Sequence, residues 1–83
     1  MTEAVQNVLN MVVTPKYPLV DEIIVRKDNE FDITTYMIYI MSDKGGYEAL
    51  KYQNDIVKDI ENVCKSMGIK RREIENIKFA SYG

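Results

Sequence analysis

The chain has 83 residues, a formal charge of −2, one cysteine and no histidine. These counts leave room for one domain and exclude an internal disulfide, a thiolate zinc cluster and any imidazole catalysis or metal ligation. A chain this short buries only about 60% of its unfolded surface, near the lower limit for independent folding, so self-association is expected to add stability.

The first predicted element is a helix from Thr2 to about Val13. Val5, Val8, Leu9 and Val12 recur on one helical face. Thr2 suits the N-cap, and Glu3 suits the positive pole of the helix dipole. No basic stretch precedes an apolar one here, and no apolar run approaches the length of a membrane span. A cytoplasmic protein with no membrane partner is therefore expected. Pro15 and Pro18 end the helix and impose an extended connection.

Leu19 to Lys27 reads as a strand, with Leu19, Ile23 and Val25 on one side and Val20, Ile24 and Arg26 on the other. Asp28-Asn29-Glu30 supplies turn residues, and Phe31 to Met41 forms a second strand rich in β-branched and aromatic residues. A hairpin loop of about three or four residues would join the two. Asp28, Glu30 and Asp32 resemble the opening of a calcium loop. Ile33 stands where that loop needs glycine, and Tyr39 where it needs a bidentate glutamate. A polar turn is the expectation, with no metal.

The second strand is apolar on both sides. Phe31, Ile33, Met37, Tyr39 and Met41 share one face, while Tyr36, Ile38 and Ile40 follow polar Asp32 and Thr34 on the other. A half-buried antiparallel strand alternates apolar and polar residues. Loss of alternation from Tyr36 onward implies that both faces are covered. The long helix covers one. The first helix, a second copy of the chain or a ligand covers the other.

Ser42 to Gly46 breaks the pattern, and Tyr47 to Met67 then reads as an amphipathic helix of five to six turns. Ala49, Ile56, Ile60, Val63 and Met67 form its apolar arc, flanked by Leu50, Val57 and Cys64. Gln53 falls within the arc, either at a frayed edge or in a buried hydrogen bond. Cys64 reads as a small core hydrophobe. Gly45-Gly46 lacks the following Lys-Ser/Thr of a phosphate loop. Gly68 suits the position just past the helix, with Ile69 making the accompanying apolar contact. Lys70, Arg71 and Arg72 form a solvated connection. Ile74 to Ser81 gives a last strand, with Ile77 and Phe79 on one side.

The order α-β-β-α-β predicts an α+β domain. A three-stranded mixed sheet packs against a long amphipathic helix, with a short N-terminal helix on the same face or, alternatively, on the opposite one. Asp21 and Glu22 face opposite sides of a strand, and nothing supplies a nucleophile beside Glu73 and Glu75, so neither an enzyme nor a cofactor is expected. The first functional expectation is a protein-interaction or assembly module, a homodimer or a binder of another protein, using Tyr36, Ile38 and Ile40. The alternative is a nucleic-acid-binding domain. It would use Lys65, Lys70, Arg71, Arg72 and Lys78, with Tyr36, Tyr39 and Tyr82 as stacking residues. A pI near 5.0 disfavours that alternative. So do Glu61, Glu73 and Glu75, which dilute the basic cluster.

Overall fold

A computed structural model describes residues 2–30, 33–43 and 50–81. Three strands, β1 (Glu22–Glu30), β2 (Ile33–Met41) and β3 (Ile74–Ala80), form one sheet in the order β1-β2-β3. β1 and β2 pair antiparallel, with Ile23 opposite Ile40 and Val25 opposite Ile38. β2 and β3 pair parallel, with Ile38 opposite Ile77 and Ile40 opposite Phe79. Helices α1 (Thr2–Val12) and α2 (Gln53–Ser66) complete the expected α-β-β-α-β order.

Both helices cover the same face of this mixed sheet. Val5, Leu9 and Val13 from the α1 segment and Ile56, Ile60 and Cys64 from α2 join Ile23, Val25, Tyr36, Ile38, Ile40 and Ile74 in one buried cluster. Burial of each Val, Leu or Ile side chain contributes about 2 kcal/mol. This cluster holds both helices against the sheet. This placement corrects one expectation. Tyr36, Ile38 and Ile40, the candidate interaction surface, are 5%, 1% and 0% exposed. They project to the side where the two helices converge and form the centre of the core.

Polar side chains hold α1 in place. The Ile23 N–H donates to Asn10 Oδ1 at 2.7 Å, and Asn10 Nδ2 donates back to the Ile23 carbonyl at 2.9 Å. One turn earlier, Gln6 Oε1 accepts from the Val25 N–H at 2.9 Å. Thr14 Oγ1 donates to Asn10 Oδ1 at 2.9 Å, and Asn10 Nδ2 also reaches the Gln6 carbonyl at 3.1 Å. Two residues spaced i, i+4 on a helix thus satisfy three backbone groups on the outer edge of β1, groups that an edge strand otherwise leaves to solvent or to another chain. The contact rotates the buried stripe of α1 by roughly 50° from the one read in the sequence, at 100° per residue. Val5, Leu9 and Val13 form the stripe, while Val12 remains 43% exposed.

The end of β1 and the start of the second helix differ from expectation. Asp28-Asn29-Glu30 is not a turn: β1 runs through it, with Asp28 opposite Thr35 and Asn29 opposite Thr34. Thr34 Oγ1 donates to Asn29 Oδ1 at 2.8 Å, so the polar pair is satisfied across the strands. Phe31 and Asp32 lie outside the described residues, as do Lys44 to Ala49, including Gly45-Gly46 and the expected start of the long helix. A 3-10 turn at Leu50–Tyr52 precedes α2, which has 14 residues and therefore about four turns. Gln53 is exposed in its first turn, the frayed-edge option.

The end of α2 follows the sequence closely. Gly68 adopts φ 84°, its N–H donates to the Lys65 carbonyl at 3.1 Å, and the Ile69 N–H donates to the Cys64 carbonyl at 2.9 Å. This is a Schellman ending with Ile69 buried. A 3-10 turn at Arg71–Glu73 leads into β3, and the Lys70 N–H donates to Glu73 Oε1 at 3.0 Å. β3 carries a bulge: Tyr36 pairs with Ile74 but Met37 with Asn76, leaving Glu75 as the extra residue. The bulge lets Ile74 and Ile77, three positions apart, both face the helices.

Replacing Asn10 by Ala strands the Ile23 N–H and carbonyl at a partly buried edge. Chemical denaturation should show a loss of about 2 kcal/mol for Asn10→Ala, the cost of an unsatisfied buried backbone group. The exposed neighbour Asn7→Ala should stay within about 0.5 kcal/mol of the parent.

Candidate functional site

With the helices on one side, the other face of the sheet has no covering element among the described residues. Alternation along the strands places Glu22, Ile24 and Arg26 of β1, Met37, Tyr39 and Met41 of β2 and Asn76, Lys78 and Ala80 of β3 on it. Across the strands, Ile24 is opposite Tyr39, and Tyr39 is opposite Lys78. Ile24, Met37 and Tyr39 are half-buried, and Met41 is buried. Ile24, Arg26, Tyr39, Met41 and Ala80 line a shallow hollow of about 340 Å³. The Lys78 ammonium sits 5.2 Å from the centre of the Tyr39 ring, a cation–π contact at the edge of the apolar strip.

The end of this face is pinned by backbone groups. The buried Ser42 Oγ donates to the Leu19 carbonyl at 2.6 Å, and its N–H donates to the Ala80 carbonyl at 3.0 Å. The Asp21 N–H donates to the Met41 carbonyl at 2.9 Å, and Asp21 Oδ2 accepts from the Asp43 N–H at 2.8 Å. These bonds tie all three strands together beside Met41, so the apolar strip is carried on a braced support.

The structure separates the five expected nucleic-acid contacts. Lys65, Lys70 and Arg71 line a hollow at the end of α2 together with Glu61 and Asn62. Arg71 is ion-paired with Glu61. Arg72 is exposed in the following turn. Lys78 lies on the opposite side of the sheet, beside Tyr39. Of the expected stacking residues, Tyr36 is in the core, and Tyr82 lies outside the described residues.

Two further groups have shifted proton affinities. The Tyr17 hydroxyl donates to Asp59 Oδ2 at 2.6 Å, with Lys16 Nζ 3.7 Å from the same oxygen, and the Tyr17 ring lies 6.2 Å from that of Tyr52. The hydrogen bond to Asp59 is the main reason that the Tyr17 phenol is pushed up to about 12. Burial and the charges of Asp59 and Asp55 add to it. Burial, and then the charge of Glu61, pushes the Cys64 thiol up to about 11. Cys64 is therefore a protonated core residue, as its place beside the apolar arc implied. Among the described residues, no three His, Cys, Asp or Glu side chains lie close enough to hold a metal ion. No helix among them is long and apolar enough to cross a membrane.

The sequence pattern points to the even-numbered residues of β2, Tyr36, Ile38 and Ile40, as a contact surface. The odd-numbered set was visible in the same doubly apolar strand, and only the position of α1 distinguishes the two. Gln6 and Asn10 gave no such signal, since they read as the polar side of a helix. No protein-family model matches the chain, no curated protein matches it, and no solved structure matches it.

The shifted groups set a pH dependence. Tyr17 and Cys64 are both held protonated in the fold above their ordinary values of 10.0 and 9.0. Their contribution is complete below pH 9 and is lost as pH rises through about 11 for Cys64 and about 12 for Tyr17. Thermal melts should hold steady from pH 7 to 9 in this respect and fall between pH 9 and 12. Tyr17→Phe should flatten the part of that fall above pH 10.

Proposed function

We propose that this protein is a non-enzymatic interaction or assembly module that associates with itself, and that a second copy covers the open sheet face. One observation carries the reading: half-buried Ile24, Met37 and Tyr39, next to buried Met41, form an apolar strip on the face that no described element covers. A solvated face of a sheet is ordinarily polar, and a contiguous apolar strip rimmed by Glu22, Arg26 and Lys78 has the character of a contact surface. The small size of the chain supports the same reading, because a further covered face adds apolar burial that 83 residues do not otherwise supply.

Nucleic-acid binding is the second reading. It is supported by the Lys78 ammonium over Tyr39, on the same face as Arg26. Lys65, Lys70, Arg71 and Arg72 lie at the end of α2 and in the turn after it, so among the expected contacts this platform offers a strand of phosphates Lys78 alone, beside Arg26. Binding to single-stranded RNA that weakens steeply with salt would favour this second reading over the first.

Light scattering coupled to size-exclusion chromatography over a dilution series tests the first reading. A mass above that of one chain at high concentration, falling towards one chain on dilution, is expected. Met37→Glu, which places a charge at the middle of the strip, should weaken association at least tenfold. A monomer at every concentration would contradict self-association.

A further inference from the structure

We infer that β3 is a second contact between copies, where the outer edges of two chains pair antiparallel about a two-fold axis into one six-stranded sheet. The inference rests on the self-association proposed above and goes beyond it, because the edge is a different surface from the open face. The face alone is small. Three strands at about 4.8 Å spacing and about seven residues of length give on the order of 350 Å² in projection. A standard stable interface needs about 800 Å² per partner.

The two edges of the sheet are unequal. On β1, Asn10 and Gln6 occupy the Ile23 N–H and carbonyl and the Val25 N–H. On β3, the Ser42 N–H binds the Ala80 carbonyl, so the backbone groups of Ala80 point towards β2. Strand alternation then turns those of Asn76 and Lys78 the same way and those of Ile77 and Phe79 outward. No described residue hydrogen-bonds to these outward groups. Beside them, Val57 of α2 and Ile77 line a groove of about 270 Å³ that Arg71 and Glu75 also border.

Charge selects the occupant and the register. The Thr35 Oγ1 donates to Glu75 Oε2 at 3.2 Å, which puts the Glu75 side chain on the open-face side, the side of Lys78. Antiparallel pairing centred on Ile77 overlaps the whole of Ile74–Ala80 and sets Ile77 opposite its own copy. Glu75 of each chain then lies one residue along from Lys78 of the other, within ion-pair reach, and the arrangement occurs twice by symmetry. Shifting the centre to Lys78 would oppose two lysines, and shifting it to Glu75 would oppose two carboxylates. The strand is thus complementary to a second copy of itself in one antiparallel register.

Amide hydrogen exchange measured by NMR at two protein concentrations tests this. Exchange at Ile77 and Phe79 should slow at least tenfold at the higher concentration, while Asn76 and Lys78, already bonded to β2, stay protected in both. Charge variants test the register. Glu75→Lys and Lys78→Glu should each weaken association about tenfold at low salt, and the double exchange should restore it to within about threefold. Association with unchanged Ile77 and Phe79 exchange, accompanied by shifts of the Met37 and Met41 methyls, would overturn the edge contact and leave the open-face contact standing. Protection at Ile77 and Phe79 without those methyl shifts would support the edge and count against the face. A monomer throughout would overturn both.

Discussion

The side-chain amide of Asn10 bonds both backbone groups of Ile23, and the rest of the arrangement depends on that pair of contacts. With Gln6 one turn away, it anchors α1 along the outer edge of β1 on the helix-covered side. Val5, Leu9 and Val13 are then directed into the same core as Ile56, Ile60 and Cys64. Had α1 instead covered the other face, its apolar stripe would lie over Ile24, Met37 and Tyr39, and the core face would keep only α2. Hydrophobic burial alone does not choose strongly between these packings, because β2 is apolar on both sides. Polar bonding to a partly buried edge does, since each unsatisfied backbone group there costs about 1–3 kcal/mol.

Much of the fold was legible in the residues. The element order, the mixed sheet, the Schellman ending at Gly68 and the core role of Cys64 all follow from local patterns: apolar spacing of 3.6 or 2, a glycine after a helix, a cysteine beside an apolar arc. What was not legible depended on contacts distant in the chain. Asn10 to Ile23 and Gln6 to Val25 span 13 and 19 residues, and nothing local marks a polar helix residue as the partner of a strand edge. The Asp28–Glu30 segment misled for the opposite reason. Its composition favours a turn, yet cross-strand pairing with Thr34 and Thr35 overrides that preference. Tyr36, Ile38 and Ile40 are core and not surface, because a period of two gives two faces without saying which is inside.

One-sided packing makes the molecule asymmetric in a way that suits assembly. Among the described residues, one edge is capped at Ile23 and Val25, the other carries no such cap, and one face is covered by both helices. Asn10 and Gln6 cap the Ile23–Val25 part of the β1 edge with side chains and not with a strand, which blocks strand pairing there. The open face carries its charges at its rim, where Lys78 is shared between the aromatic strip and the edge.

The central claim is that α1 and α2 share one face of the sheet, while no described element covers Ile24, Met37 and Tyr39 on the other. Nuclear Overhauser contacts in methyl-labelled protein, recorded at a concentration low enough to keep chains apart, test it most directly. The account predicts contacts from the Val5, Leu9 and Val13 methyls to those of the buried set of Ile23, Val25, Ile38 and Ile40, and from the Asn10 side-chain amide to Ile23. Contacts from the α1 methyls to Ile24, Met37 or Met41 would place the helix on the other face and contradict it.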